Sequence, residues 1–312
     1  MSEEEVEYTI QPNDAGERLD VVVVRALKGR AGRARVRDLF LQGAVKVQGR
    51  VATKSWRARA GDVITVSVES LDPSAVPEPD APLDLRLERA DLVVAYKPAG
   101  QPTAPIQAGE LGTLANALLG RYPEMAGVGY GPREPGIIHR LDTHTSGLVL
   151  AARTPKTFDV LSRALREGTL HKEYLLICAL AGLVESGIID IPIGTEGKQS
   201  RRVVACIRPE EMRRCNPKSA RTSYRILESH GRWALVLAEA PKAVRHQLRA
   251  HFAAIDHPLV GDALYGGDTE ALDRHALHAH AISYIGSSAI EAFEVRCDMP
   301  EDMAGLLAEA EA

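Results

Sequence analysis

A proline-rich stretch divides this sequence of 312 residues into two parts of different character. Residues 71–83 contain four prolines and show no hydrophobic periodicity. Because proline lacks a backbone donor and favours extended backbone, such a stretch is typical of a stiff linker. The sequence therefore predicts domains at residues 15–70 and 84–303, an acidic flexible tail at 1–14 and a C-terminal tail at 304–312.

Composition excludes several classes of protein. Hydrophobic residues make up 45% and charged residues 26%, which is ordinary for a soluble globular chain. No stretch approaches the roughly 20 apolar residues that a membrane span needs, and the acidic N-terminus does not resemble a signal peptide. The four cysteines are scattered without a CxxC pair, as expected for reduced thiols. These observations predict a cytoplasmic protein.

The net charge of −4 conceals a basic segment. Residues 15–60 carry twelve Lys or Arg against three Asp or Glu, a local excess of +9. A compact basic segment on an otherwise acidic chain is typical of a module that binds a polyanion. The alternative is a basic face that merely contacts solvent.

The first part has the pattern of two helices followed by short strands. Apolar residues over 19–27 recur at i, i+3, i+4, i+7 and i+8, which predicts a helix despite four consecutive valines. A second helix is predicted around 36–40, ended by Gly43. Alternating residues then predict strands at 45–47 and 63–68.

Four short motifs in this part resemble the S-four-like RNA-binding domain of ribosomal proteins and RNA-modifying enzymes. They are residues 16–20 (GERLD), 35–39 (RVRDL), 43–50 (GAVKVQGR) and 59–63 (RAGDV). The resemblance implies that basic side chains face RNA phosphates, namely those of Arg33, Arg35, Arg37, Lys46 and Arg50. Such contacts supply salt-sensitive affinity with little sequence information.

The second part has the pattern of an α+β domain. Buried strands are predicted at 92–96 and 148–152, and a helix starts after Thr154 and ends at Gly168. Further strands and a helix at about 246–255 follow. Long strands with few intervening helices favour a mixed, largely antiparallel sheet over a doubly wound fold.

Several candidate sites in the second part have a simpler explanation. The glycines at 127–131 are not placed between a strand and a helix, which favours a turn over a phosphate loop. His275, His278 and His280 lack a carboxylate or cysteine partner at metal-site spacing, which favours an ordinary strand. Ser146 has acid and histidine neighbours but no Gly-x-Ser-x-Gly elbow, so serine hydrolysis is a weak alternative.

Asp142 stands between an apolar approach and a turn of small residues that leads into a strand. Backbone geometry can hold a carboxylate rigidly in such a place, as catalysis requires. A structural aspartate that caps its loop through Thr145 or Ser146 is an almost equally good interpretation for one isolated residue.

The second part as a whole resembles the RluA/RluD-type family of pseudouridine synthases over roughly residues 84–300. The resemblance rests on residues 96–100 (YKPAG), 135–150 (PGIIHRLDTHTSGLVL), 171–174 (HKEY), 246–251 (HQLRAH) and 257–266 (HPLVGDALYG). It implies an α+β catalytic domain that isomerises uridine in RNA. It also implies catalytic roles for Asp142, Tyr174 and Arg249, and entry into the RNA helix for Arg140 with His139 beside it.

The chemistry of the implied reaction suits these residue types. Uracil must leave its ribose, turn and rejoin through carbon, and Asp142 can attack the ribose carbon or remove a ribose proton. Arg249 is expected to keep Asp142 ionised, and Tyr174 offers a ring for stacking and a hydroxyl for the final proton removal. Arg140 can fill the gap left by a flipped base. The reaction requires no cofactor, metal or ATP.

The chain departs from the family pattern at Ala104 and over residues 243–245, where Ala-Val-Arg replaces Gly-Arg-Thr. Arg245 and Arg249 are expected to share one face of a helix. The favoured function is a uridine isomerase acting on ribosomal RNA, with transfer RNA as the alternative substrate. A non-catalytic RNA-binding or ribosome-assembly factor that retains the fold is the alternative function. The sequence leaves the oligomeric state open.

Overall fold

The computed structural model describes residues 3–27, 33–69, 74–107, 109–195 and 202–310. Within these ranges the side chains at 3, 4, 33–35, 38, 68 and 69 are not described. The chain divides into two compact units, Met1–Pro73 and Ser74–Ala312. Each unit has its own hydrophobic core and is described by itself.

The N-terminal unit contains two helices and a four-stranded antiparallel sheet in the order β1-β4-β2-β3. The first helix buries Leu19, Val22, Val23 and Ala26, as the apolar spacing predicts. Gln48 and Gly49 have positive φ values of 48° and 75°, which suits a tight hairpin turn. The elements are β1 (Glu3–Thr9), α1 (Leu19–Ala26), α2 (Arg33–Leu41), β2 (Val45–Val47), β3 (Arg50–Val51) and β4 (Val63–Glu69).

The predicted flexible tail at 1–14 is wrong for the part that forms β1. This strand pairs with β4 along its whole length, from Glu3 opposite Glu69 to Thr9 opposite Val63. Val6 and Tyr8 pack against the core of the unit, while acidic side chains alternate with them on the other face. The period of two therefore specifies a strand, although the high acid content resembles that of a disordered tail.

The C-terminal unit is built on a nine-stranded mixed sheet in the order β5-β6-β7-β14-β8-β13-β12-β9, with β15 on β14. Only the β7–β14 pair is parallel among the pairings in the described ranges, which confirms the predicted α+β class. Its elements are β5 (Asp84–Glu88), β6 (Leu92–Lys97), α3 (Leu114–Arg121), β7 (Ser146–Ala152), α4 (Pro155–Glu167), β8 (Leu170–Ala179), β9 (Ser186–Asp190), β10 (Ile193–Gly194), β11 (Val204–Ala205), α5 (Pro209–Cys215), β12 (Arg221–His230), β13 (Trp233–Glu239), α6 (Gln247–Ala254), β14 (Leu277–Tyr284), β15 (Phe293–Arg296) and α7 (Glu301–Glu309).

Strand β7 is buried over its whole length because both faces of the sheet are covered. Val149 and Ala151 belong to the same hydrophobic cluster as residues of α3 and α6. Leu148 and Leu150 belong to a second cluster that includes side chains of α4. This two-sided burial explains the continuous apolar run in the sequence, and it places the start of β7 in the interior of the unit.

Two further segments differ from the predictions. Ala75 is buried, and its amide donates to the carbonyl of Pro132 at 2.9 Å, so residues 74–83 pack on the C-terminal unit instead of forming a free linker. The predicted tail at 304–312 is wrong up to residue 309, because α7 buries Met303, Leu306 and Leu307. In both segments a few apolar side chains that face the core are enough to hold the backbone in place.

Candidate active site

Asp142 lies in a tight turn immediately before β7. The amide of Thr145 donates to the Asp142 carbonyl at 3.0 Å and closes the turn. On the other side, the Thr103 hydroxyl donates to the Leu141 carbonyl at 2.8 Å and accepts from the Leu141 amide at 3.1 Å. The backbone of the aspartate is therefore fixed from both sides.

Lys97 holds the same turn through its backbone carbonyls. Its ammonium donates to the carbonyls of Pro98, Gln101 and Thr143 at 2.9, 2.8 and 3.1 Å. The side chain is buried, and this burial lowers the pKa of Lys97 to about 7, although the nearby Asp142 opposes the shift. Lys97 thus ties the end of β6 to the turn that carries the aspartate.

The carboxylate of Asp142 does not cap its own loop. Its Oδ2 accepts from Nη1 of Arg249 at 2.9 Å and lies 3.6 Å from Nε2 of His246. The hydroxyls of Thr145 and Ser146 are bonded elsewhere, to His275 and His278. The carboxylate is 23% exposed and opens towards a cleft, which favours the catalytic interpretation of this residue.

Arg249 is held behind Asp142 by a second carboxylate. Its Nε and Nη2 donate to both oxygens of Asp262 at 2.7 and 2.8 Å, and the two side chains are 8% and 1% exposed. Desolvation opposes the positive charge, but the hydrogen bonds to Asp262 and Asp142 outweigh it and raise the pKa of Arg249. The arginine therefore stays charged beside Asp142, as the family resemblance implies.

Two aromatic rings, those of Tyr265 and His246, lie beside Arg249 and Asp142. The guanidinium of Arg249 lies 5.1 Å from the centroid of the Tyr265 ring. The Tyr265 hydroxyl contacts Nδ1 of His246 at 3.2 Å and accepts from the Val203 amide at 3.0 Å. Desolvation lowers the pKa of His246, so the imidazole beside Asp142 is mainly neutral.

The cleft has a volume of about 570 Å³, within the range of pockets that bind one small ligand such as a nucleoside. It is lined by Asp142, Tyr174, Lys172, His139, Arg140 and His246, among others. Arg249 is outside the lining of this cleft within the described ranges and reaches only the inner side of the carboxylate.

Tyr174 lies on β8 with its ring buried in the cleft wall. Desolvation, with a contribution from the charge of Asp142, raises the pKa of Tyr174 well above its ordinary value. The hydroxyl is therefore protonated at neutral pH. It makes no hydrogen bond with any residue that the structure describes, so it can bond to a ligand.

His139 and Arg140 point in different directions. Arg140 is 61% exposed and forms an ion pair of 2.6 Å with Glu134 at the cleft rim. His139 is half-buried, and its Nε2 accepts from the Leu150 amide at 3.3 Å. Burial and the charge of Lys172 lower the pKa of His139 to about 3, so the ring is neutral.

The departures from the family pattern also lie at the cleft. Ala104, Val244 and Arg245 all line it. The expectation that Arg245 shares a helical face with Arg249 is wrong, because α6 begins only at Gln247. His246 precedes it in the left-handed conformation, with φ of 54°, and turns the chain away from the helix axis.

The weaker candidate sites have ordinary structural roles. Ser146 is buried in β7 and cannot reach a substrate. His275, His278 and His280 each bond to a different group, and the described ranges contain no cluster of three or more metal-ligating side chains. None of the helices in these ranges combines the length and the apolar composition that a membrane crossing requires.

Sequence reasoning missed three residues of this site. Lys172 had a detectable signal, because it is two positions before Tyr174 on a strand and must share its face. Asp262 and Tyr265 lie within the motif at residues 257–266, but only the folded chain shows that both contact Arg249.

In the N-terminal unit the structure describes only part of the predicted basic surface. Arg37 and Arg50 are exposed on α2 and β3, and Lys46 is half-buried on β2. The side chains of Arg33 and Arg35 lie outside the described residues.

The fold and the site together define an enzyme in which a fixed carboxylate, backed by a buried arginine, faces a cleft of the size that binds a small ligand. The model of the RNA pseudouridylate synthase family matches residues 91–254. The chain is 33% identical to the ribosomal large subunit pseudouridine synthase D of Vibrio vulnificus, over 97% of this chain and 93% of the relative. The same enzyme of Nitrosomonas europaea is 32% identical over 98% and 88%. The chain therefore belongs to the RluA/RluD-type family of RNA pseudouridine synthases, which are isomerases.

A solved structure supports the fold independently. The human RNA pseudouridylate synthase domain containing 4 protein superposes with a TM-score of 0.56 at 23% identity, covering 73% of this chain and 92% of that one.

Proposed function

We propose that this chain converts specific uridines of ribosomal RNA to pseudouridine, with Asp142 as the reacting carboxylate. The observation that carries the proposal is the 2.9 Å hydrogen bond from Arg249 to Asp142, at the wall of a nucleoside-sized cleft. Ribosomal RNA is proposed because the Vibrio vulnificus and Nitrosomonas europaea relatives are named for the large ribosomal subunit.

Asp142 has two chemically sound routes. It can attack C1′ of the ribose, which releases uracil and forms an ester, or it can remove a proton from the ribose as uracil departs. Both routes need an ionised carboxylate, which Arg249 stabilises. Both return every atom to the product, so the reaction needs no redox cofactor and no group donor.

Tyr174 is proposed to stack on the released base, because its ring forms a cleft wall two positions from Lys172 on β8. Its hydroxyl has no partner among the described residues and is available when the proton at C5 of the rejoined base is removed. A phenol held protonated by burial can pass this proton on through a hydrogen bond but does not act as a phenolate base at neutral pH.

Arg140 is proposed to occupy the space that the target uridine leaves in the RNA. It is exposed at the cleft rim and bonded only to the side chain of Glu134 among the contacts of the described residues. If the Arg140 side chain leaves Glu134 and inserts between the stacked bases of an RNA helix, its contacts there would offset part of the few kcal/mol that base flipping costs.

The N-terminal segment 15–70 is proposed as an S-four-like RNA-binding domain, and 84–303 as the catalytic domain. The basic residues Arg33, Arg35, Arg37, Lys46 and Arg50 would contact phosphates and supply affinity that depends on salt. Support comes from the exposed Arg37 and Arg50 and from the helix pair and hairpin on which they lie.

The substrate is tested with ribosomal RNA and transfer RNA that lack pseudouridine. We expect the purified enzyme to convert at least one uridine in large-subunit ribosomal RNA and none in transfer RNA, as read by chemical mapping of pseudouridine. Conversion only in transfer RNA would overturn the ribosomal assignment. Tight binding without any conversion would favour the alternative of an assembly factor.

A further inference from the structure

Lys172 is a cleft residue to which the proposed reaction assigns no step. It lies on β8 two positions before Tyr174, so both side chains leave the strand on the same face. Both line the cleft that Asp142 faces. Any ligand that stacks on the tyrosine ring therefore comes close to the lysine.

The ammonium of Lys172 has no partner in the part of the chain that the structure describes. It makes no hydrogen bond there, and no carboxylate lies within ion-pair distance. Its side chain is nevertheless only 6% exposed. A buried charge without a partner is costly, and such groups are concentrated at functional sites.

Among the described residues, no neighbouring group compensates the charge of Lys172. Desolvation and the charge of Lys172 lower the pKa of His139, so its ring is neutral. The Nδ1 of His139 has no hydrogen-bond partner within the described ranges. Desolvation lowers the pKa of Lys172 to about 8, so the ammonium form still predominates at neutral pH. This corner of the cleft therefore holds positive charge and hydrogen-bond donors without an acceptor.

The other buried cations near Asp142 are already engaged. Arg249 is bound by two carboxylates, and Lys97 by three carbonyl oxygens. Neither of them lines the cleft. Among the described residues, Lys172 is therefore the buried cation that lines the cleft and whose N–H donors are available to a ligand.

The reaction creates a matching negative charge. When the bond between N1 of uracil and C1′ breaks, its electron pair stays on N1 and the charge spreads to the oxygens O2 and O4. Water-excluding sites stabilise such developing charge with fixed donors. The charge disappears again when C5 bonds to C1′, and the rejoined ring stays neutral overall because N1 gains a proton as C5 loses one.

We propose that Lys172 is a catalytic residue that donates a hydrogen bond to a carbonyl oxygen of the target uracil and stabilises the uracil anion as the glycosidic bond breaks. The inference rests on the proposed function and holds for either route of Asp142, because uracil departs with the electron pair in both. It also gives the buried ammonium an acceptor, which none of the described residues supplies.

The test varies the leaving group. The variants are Lys172→Met, which removes charge and donors, Lys172→Gln, which keeps a neutral donor, and Lys156→Met on the exposed face of α4 as a matched control. Each is assayed in single-turnover mode on RNA with uridine or 5-fluorouridine at the target site, by following the disappearance of the original nucleoside. Fluorine withdraws electrons, so 5-fluorouracil leaves more readily and depends less on Lys172.

We expect Lys172→Met to slow the disappearance of uridine about 100-fold, in line with the removal of one oxyanion donor, and to slow that of 5-fluorouridine at least tenfold less. Lys172→Gln should lie between Lys172→Met and wild type, and Lys156→Met should match wild type. Melting curves check that every variant is folded.

Equal slowing on both substrates would overturn the proposal, because it would indicate a role that does not depend on leaving-group charge. Unchanged rates on uridine would overturn it as well. With either of these outcomes, conversion of uridine by the wild-type enzyme would show that the proposed function itself still stands. Wild-type enzyme that converts neither nucleoside would overturn the proposed function and this inference together.

Discussion

Arg249 shares its guanidinium between two carboxylates, with one nitrogen bonded to Asp142 at 2.9 Å and two bonded to Asp262 at 2.7 and 2.8 Å. The two-point contact with the buried Asp262 fixes the plane of the arginine. The remaining nitrogen then fixes where the Asp142 carboxylate points. Asp262 is thus a positioning residue that acts through Arg249.

The first prediction concerns Asp262→Ala. Because it leaves the buried charge of Arg249 without its main partner, we expect a decrease of about 3–5 kcal/mol in the free energy of unfolding. Asp142→Asn is the control. Its decrease should be within about 1 kcal/mol, since Asp262 still neutralises Arg249. Denaturant titration measures both, and equal decreases for the two variants would contradict this division of roles.

The second prediction concerns the pH dependence of stability at Lys172. Burial lowers its pKa from 10.5 to about 8, so between these values the unfolded chain holds a proton that the folded protein has released. Wild type therefore gains stability relative to Lys172→Met as the pH rises from 8 to 10.5. We expect Lys172→Met to be the more stable protein at pH 7, by roughly 2–4 kcal/mol at about 1.4 kcal/mol per pKa unit.

Denaturant titrations of wild type, Lys172→Met and Lys156→Met between pH 7 and 10 measure this difference. Lys97 titrates in all three proteins and cancels from the comparison. A gap between Lys172→Met and wild type that stays constant over the whole pH range would show that Lys172 is not desolvated in the folded protein.

The third prediction concerns Arg140. Its ion pair with Glu134 is on the surface, so Arg140→Ala should change the free energy of unfolding by less than about 1 kcal/mol. On structured RNA we expect at least a tenfold decrease in kcat/KM, because the gap left by the flipped base is unfilled. On a short unstructured RNA with the same target the decrease should be much smaller. Equal decreases on the two substrates would argue against a role in flipping.

The fourth prediction concerns the N-terminal unit. Reversing Arg33, Arg35 and Arg37 to Glu should weaken RNA binding and reduce the slope of log K against log salt by roughly one for each phosphate that the variant no longer neutralises. The reversal of Arg163 and Arg166 on α4 is the control for a general change in charge. A slope that is the same in both variants would contradict the assignment of the basic helix to phosphates.

The sequence was most informative where function depends on local pattern. Residues 135–150 indicated Asp142 as the candidate carboxylate, and residues 171–174 indicated Tyr174 as a candidate residue of the same site. The two helices of the N-terminal unit follow from apolar spacing alone. In each case the determining residues are a few positions apart, so the pattern is visible without the fold.

Features that depend on distant partners were not predictable. The strand β1 exists because β4 offers a pairing edge, and its acidic residues alone suggest a tail. Asp262 was not identified because its contact with Arg249 on α6 joins two residues from separate elements and depends on the fold. The start of α6 is set by the left-handed His246. The same turn places Arg245 outside the helix, although the residue count suggested a shared face.

The most direct test of the central claim is the yield of pseudouridine from Asp142→Asn and wild type on ribosomal RNA that lacks the modification. The Asn side chain keeps the shape of the site and the contact with Arg249 but cannot act as a nucleophile or base. We expect wild type to convert its target uridine to completion and Asp142→Asn to form no detectable pseudouridine while binding the RNA with unchanged affinity. Equal yields from the two proteins would show that Asp142 is not the reacting carboxylate.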